Sequence, residues 1–84
     1  MDPMTALMMV RGIKEAGIAD LDTRILAEMR HLAAAADCDL ATRASVAARV
    51  ASNISDLSAQ RHALSVAIHA LEEVRSLLGA RTAG

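Results

Sequence analysis

Between residues 40 and 78, side chains spaced alternately three and four apart read Leu40, Arg43, Ala47, Val50, Ile54, Leu57, Arg61, Leu64, Ile68, Leu71, Arg75 and Leu78. Nine of these twelve are apolar, so on an α-helix they draw one stripe down one side, and water drives that stripe against another helix. A chain with so long a stripe is committed to helix packing. A second run at the same spacing, Ile18, Leu21, Ile25, Met29, Leu32 and Ala36, widened by Leu26 and Ala33, supplies a partner helix.

Local signals place the boundaries. Asp20 and Asp22 open the 18–36 helix, and Arg30 and His31 lie near its end, as the helix dipole prefers. Asp37-Cys38-Asp39 ends or kinks it, because all three are poor helix formers and Asp39 can cap the next helical segment. One long helix is predicted over 40–78, stopped by Gly79 with Arg75 and Arg81 beside it, and with Ser52, Asn53 and Ser55 as its weak point. At the other end, Asp2-Pro3 reads as a cap followed by the proline that suits a first helical position. Met4, Leu7, Met8, Val10 and Ile13 make a short apolar surface there, weakened by Gly12 and Gly17 at about 1 kcal/mol each. The expected organisation is a Met-rich helix or arm over 1–17, a helical domain over 18–79 and a frayed tail over 80–84. The fold class is all-α: a helical hairpin or small three-helix bundle with a long C-terminal helix.

Composition then says what such a bundle lacks. Of 84 residues 54 % are hydrophobic, which excludes a disordered chain, but 19 are Ala and none is Phe, Tyr or Trp. Aromatic side chains bury roughly 150–250 Å² each, and without them a core of this size supplies only about 3–5 kcal/mol. Oligomerisation or a bound partner is the expected remedy. The protein interface is expected at Leu40, Ala47, Val50, Ile54, Leu57, Leu64, Ile68, Leu71 and Leu78, joined by Met4, Leu7 and Met8. Ala44 with Ala48, and Ala47 with Ala51, are small pairs that favour close antiparallel helix approach.

Charge excludes some classes and orients the halves. The net charge is −1, split as −3 over residues 1–40 and +2 over 41–84, which favours antiparallel docking of the two halves and gives no basic face for phosphates. The single cysteine, Cys38, excludes an internal disulfide framework and suits a reducing cytosol. No uncharged stretch approaches the ~20 residues of a membrane span, and residues 4–10 lack the features of a secretory signal, so a cytoplasmic protein is expected.

The constellations that carry chemistry elsewhere are weak here. Glu28-x-x-His31 and His69-x-x-Glu72 have the spacing of carboxylate-bridged metal bundles, yet only Glu73 stands by as a further ligand, and solvated ion pairs explain them better. His62 and His69 share a flank that is expected to be solvated. Cys38 has no local base, and Asp37 and Asp39 disfavour its thiolate. No enzyme, cofactor, metal or small-molecule substrate is expected. Arg43, Arg61 and Arg75 share the register of the apolar stripe, and are expected either to snorkel from its edge or to meet acidic residues of a partner and set its register.

The expected function is a small non-catalytic helical protein-binding module, an adaptor, chaperone-like protein or inhibitor, acting through an apolar helix face on another protein or a second copy. The alternative is a helical DNA-binding regulator or phage-type packaging adaptor using Arg43 and Arg49. In overall build, over residues 18–78, the chain resembles small bacterial helical-hairpin proteins such as the co-chaperones of type III secretion needle subunits, or small phage-encoded helical adaptors. It lacks the Trp-x-Gly turn of secreted hairpin proteins.

Overall fold

A helix begins where something accepts its first free N–H groups, and Asp2 does so here. In the computed structural model, which describes residues 2–83 and side chains through residue 80, Asp2 is extended and its carboxylate accepts the Thr5 N–H at 3.2 Å. Pro3, which has no N–H to satisfy, takes the first turn. Helix α1 then runs over Pro3–Ala34 without a break. At its end the Ala35 N–H is shared between the carbonyls of His31 and Leu32, at 3.3 and 3.2 Å. Next comes the bend over residues 35–39, where Asp37-Cys38-Asp39 was expected to stop the helix. Asp39 stands at the N-cap of α2, its carbonyl accepting the Arg43 N–H at 2.9 Å, and α2 spans Leu40–Ala83.

Two expected boundaries are corrected. The short arm over 1–17 and the helix from 18 are one element, because Gly17 is a packing residue rather than a breaker. A Cβ built there would lie 3.0 Å from Leu64 Cδ1, so glycine lets α2 approach at this level. Gly79 does not stop α2 either. No described glycine has positive φ, so no left-handed cap forms, and the helix continues to Ala83 through most of the expected tail; Gly84 lies outside the described residues. Ser52, Asn53 and Ser55 also lie within continuous α-helix.

The two helices form an antiparallel hairpin, 66 × 16 × 14 Å. Cross-helix pairs set the register: Arg11 with Glu72, Asp22 with Arg61 at 2.6 Å, and Glu28 with Asn53 at 3.2 Å. Met4, Leu7, Arg11, Lys14, Ile18, Leu21, Ile25 and Glu28 of α1 are all half-buried or buried, an alternation of three and four that is the coiled-coil repeat. Facing them are Val50, Leu57, Leu64, Leu71 and Leu78, seven apart, flanked by Ile54 and Ile68. Two helices can cover only one face of each other, so the core is thin. Leu21, Ala35 and Val50, at 4–7 % exposure, are its buried members among the described residues.

Gly12 is exposed, with nothing within 4 Å of a built Cβ. Gly12→Ala is therefore expected to stabilise by about 1 kcal/mol, raising the melting midpoint by about 4–8 °C. Gly17→Ala gains the same helix propensity but must displace Leu64, so its midpoint should rise less. Equal shifts in thermal melts of the two variants would contradict the packing at Gly17.

Candidate functional site

The expected interface residues divide into two groups. Met4, Leu7, Ile54, Leu57, Leu64, Ile68, Leu71 and Leu78 are half-buried and Val50 is buried, all turned into the hairpin's own seam. Leu40, Ala47 and Met8 are exposed, Leu40 at 74 %. Leu40 and Ala47 fall outside the packing because α1 has already ended opposite them, and Val46 and Val50 take the inward positions. Ala44 and Ala48 are exposed near the same end, and Ala51, although level with α1, faces away from it, so the small pairs make no close helix contact within the chain.

The α1 stripe is also placed differently from expectation past Ile25. The inward series steps to Glu28 and then Ala35, leaving Met29 and Leu32 at 55 % and 43 % exposure. Glu28 can enter the seam because Asn53 Nδ2 donates to its Oε2 at 3.2 Å. A polar seam position with its partner in place fixes register, as such positions do in coiled coils.

One flank of the hairpin is polar along its length. Arg11 donates from Nε to Glu15 at 2.8 Å and makes an ion pair with Glu72 across the hairpin, while Arg75 stands 3.9 Å from the other Glu72 oxygen. Glu72 Oε1 is out of solvent, and its charge is met by the Arg11 guanidinium as an ion pair rather than as a directed hydrogen bond. Further along, Asp22 accepts from Arg61, and that bond together with the carboxylate's charge raises the Arg61 pKa above its ordinary value. The seam arginines thus sit at the stripe's edge; two of them meet acids of their own chain, and Arg43 is exposed near the bend. Surface pairs of this kind contribute little net stability and weaken with salt. The charge split between the halves is realised in Arg61–Asp22, whereas Arg11–Glu72 runs the opposite way.

The opposite flank changes character along its length. Near the middle it carries Asp20 and Arg24, paired at 3.0 Å, and a shallow groove there is lined by Gly17, Leu21, Gln60, Ala63 and Leu64 as well. Helical spacing carries the same flank toward the open end through Pro3, Ala6, Val10, Ile13 and Gly17 on α1. On α2 it continues through Ala63, Ala67, Ala70, Val74 and Leu77. Neither series holds a charged residue, although Lys14 stands between Val10 and Gly17 at helical spacing and Glu73 lines the same hollow as Leu77. Val10 and Val74 are 42 % and 43 % exposed, and Ile13 and Leu77 reach 71 % and 65 %. Sequence reading missed this surface because it looked for one stripe per helix; the signal was present as a second apolar series beside the first.

The metal-like pairs do not converge. Glu28 lies level with Asn53 and Glu72 with Arg11, and those levels are nineteen residues apart along α2, roughly 28 Å at ~1.5 Å per residue. No group of three metal-ligating side chains occurs among the described residues. His62 and His69 are exposed, and Cys38 is a free, exposed thiol in the bend. Among the described residues no helix is long and apolar enough to cross a membrane. No family model, curated protein or solved structure matches this chain.

Proposed function

We propose that this protein is a non-catalytic helical binding module that works by presenting an apolar helix surface to another helix. The observation that supports it is the apolar flank at the open end, where Val10, Ile13, Val74 and Leu77 are 42–71 % exposed beside a flank whose charges are paired. Burying such surface is favourable at roughly 25 cal/mol per Å². A helix laid into a shallow apolar groove is the recognition mode this surface suits.

The test is purification of the tagged chain with its bound proteins, followed by mass measurement, at low and at ~0.5 M salt. Apolar contacts persist or tighten at high salt, whereas nucleic-acid contacts weaken steeply. The expected result is a stoichiometric helical complex that survives salt and is lost in Val74→Glu. Duplex DNA bound below micromolar at physiological salt, and released by Arg43→Ala with Arg49→Ala, would overturn the reading.

A further inference from the structure

We propose that the hairpin exchanges its helices with a second copy: the bend over residues 35–39 straightens, and two continuous helices pair antiparallel through the same seam. The binding-module reading is independent of this, because the open-end flank is the same in both forms. The bend, the phase of the seam and the charges beside it carry the inference.

Nothing in the chemistry of the bend requires a turn. Residues 35–39 hold neither glycine nor proline, and no described residue has positive φ. Ala35 keeps right-handed helical angles, with φ −84° and ψ 0°. The Ala36 and Cys38 N–H groups donate to the Ala33 and Ala35 carbonyls at 3.2 and 3.1 Å. These bonds reach three residues back, as in the tightened last turn of a helix, and a small rotation returns them to four. Ala33 to Ala36 are four consecutive residues of the best helix former. A short hinge between two packed elements is the setting in which identical elements exchange between copies.

The seam keeps its phase across the bend. At about 100° per residue, one straight helix carries Leu21, Ala35, Asp39, Arg43, Val46 and Val50 within about 40° of a single line. Leu21, Ala35 and Val50 are the buried residues of the hairpin. An uninterrupted helix therefore presents the whole seam to a partner without a break. In the hairpin the first turns of α2 outrun α1, leaving Arg43 and Ala47 exposed and Leu40 at 74 %. In the exchanged form the other copy's helix continues past them.

Charge fits the same arrangement. The level pairs Arg11–Glu72, Asp22–Arg61 and Glu28–Asn53 each straddle Ala41 symmetrically to within a residue. That symmetry puts the two-fold axis of the dimer at Ala41, so Asp39 of each copy comes level with Arg43 of the other. Among the described residues neither side chain takes part in an ion pair within the hairpin. Exchange keeps every cross-helix pair of the hairpin, now between copies, and adds these two.

Closure within one chain acts at an effective concentration of millimolar order, so the test is refolding of the full chain from denaturant at about 1 mM. Size-exclusion chromatography with light scattering should separate monomer from dimer, because interconversion must open the whole seam. Small-angle scattering from the dimer should show a rod of roughly 120 Å, at ~1.5 Å per residue over residues 3–83. The hairpin measures 66 Å. In a Cys38→Ser background, Asp22→Cys with Arg61→Cys is bridged by a short thiol cross-linker. The bridge should join two chains in the dimer fraction and stay within one chain in the monomer. Arg43→Asp should lower the dimer fraction by about fivefold or more, since it sets like charges level twice, and adding Asp39→Arg should restore it. A chain that refolds only as monomer, or a dimer whose cross-links stay within chains, overturns the exchange. A dimer fraction unmoved by Arg43→Asp overturns the axis at Ala41. Capture of a foreign helix through the open-end flank, lost in Val74→Glu, does not depend on any of these outcomes, so the two readings fail separately.

Discussion

Leu21→Ala is expected to leave the hairpin largely unfolded at room temperature. Leu21 is 6 % exposed, one turn from Gly17, and Leu64 lines the same groove from α2. Truncating a buried leucine costs about 2–5 kcal/mol, the lost transfer energy plus the cavity left behind. Small aromatic-free cores supply about the same amount in total. Circular dichroism and a thermal melt would show the loss directly. Leu57→Ala and Leu64→Ala should lose less, because both residues are less fully buried than Leu21 and give up a smaller transfer energy. An unchanged midpoint in Leu21→Ala would mean that the seam runs elsewhere on α1.

Replacing the polar layer should act the other way. Glu28→Leu together with Asn53→Leu removes a half-buried carboxylate and its amide donor from the seam. Apolar substitutes for buried polar pairs are neutral or stabilising, and with Glu28 only half-buried the expected gain is about 1–2 kcal/mol. That corresponds to a midpoint rise of about 4–16 °C for a domain of this size. The cost is register. Without that layer the register rests on Arg11–Glu72 and Arg61–Asp22, partly exposed ion pairs of little net weight, so a slip by one seven-residue repeat is opposed less strongly. The double variant should melt later but less sharply, and should populate more than one mass or cross-linking pattern. Glu28→Leu alone strands Asn53 in the seam and should not share the gain. A lowered midpoint in the double variant would show that the layer stabilises outright.

Much of the fold was legible because it depends on local rules. The Asp2-Pro3 cap, the stop at Asp37-Cys38-Asp39, the helical state of both long stretches and the inward series from Val50 to Leu78 all come from capping chemistry and three-to-four spacing. Residue chemistry also made the edge position of Arg61 and Arg75 readable, since an unpaired guanidinium is too costly to bury in a seam.

Where sequence reading erred, one residue type had two physical uses. Glycine inside a helix costs propensity, and by that rule Gly12 and Gly17 weaken the first helix and the chain is expected to divide after Gly17. Contact with Leu64 makes Gly17 a point of close approach, and α1 continues. Past Ile25 the apolar residues Leu26, Met29 and Leu32 offered a second stripe as good as the first. Spacing alone does not choose between them. Asn53 on the opposing helix does, because it satisfies Glu28 in the seam and turns Met29 and Leu32 to solvent.

The sequence by itself therefore determined an all-helical chain with a break near Asp37-Cys38-Asp39 and a long helix after it, since caps and periodicity act over a few residues. Only the tertiary structure decided which faces meet and which stay bare. That choice depends on the groups that the opposing helix presents at each level: a methyl against Gly17, an amide against Glu28, a guanidinium against Glu72. The bare flank of Val10, Ile13, Val74 and Leu77 is the surface left over once those pairings are made.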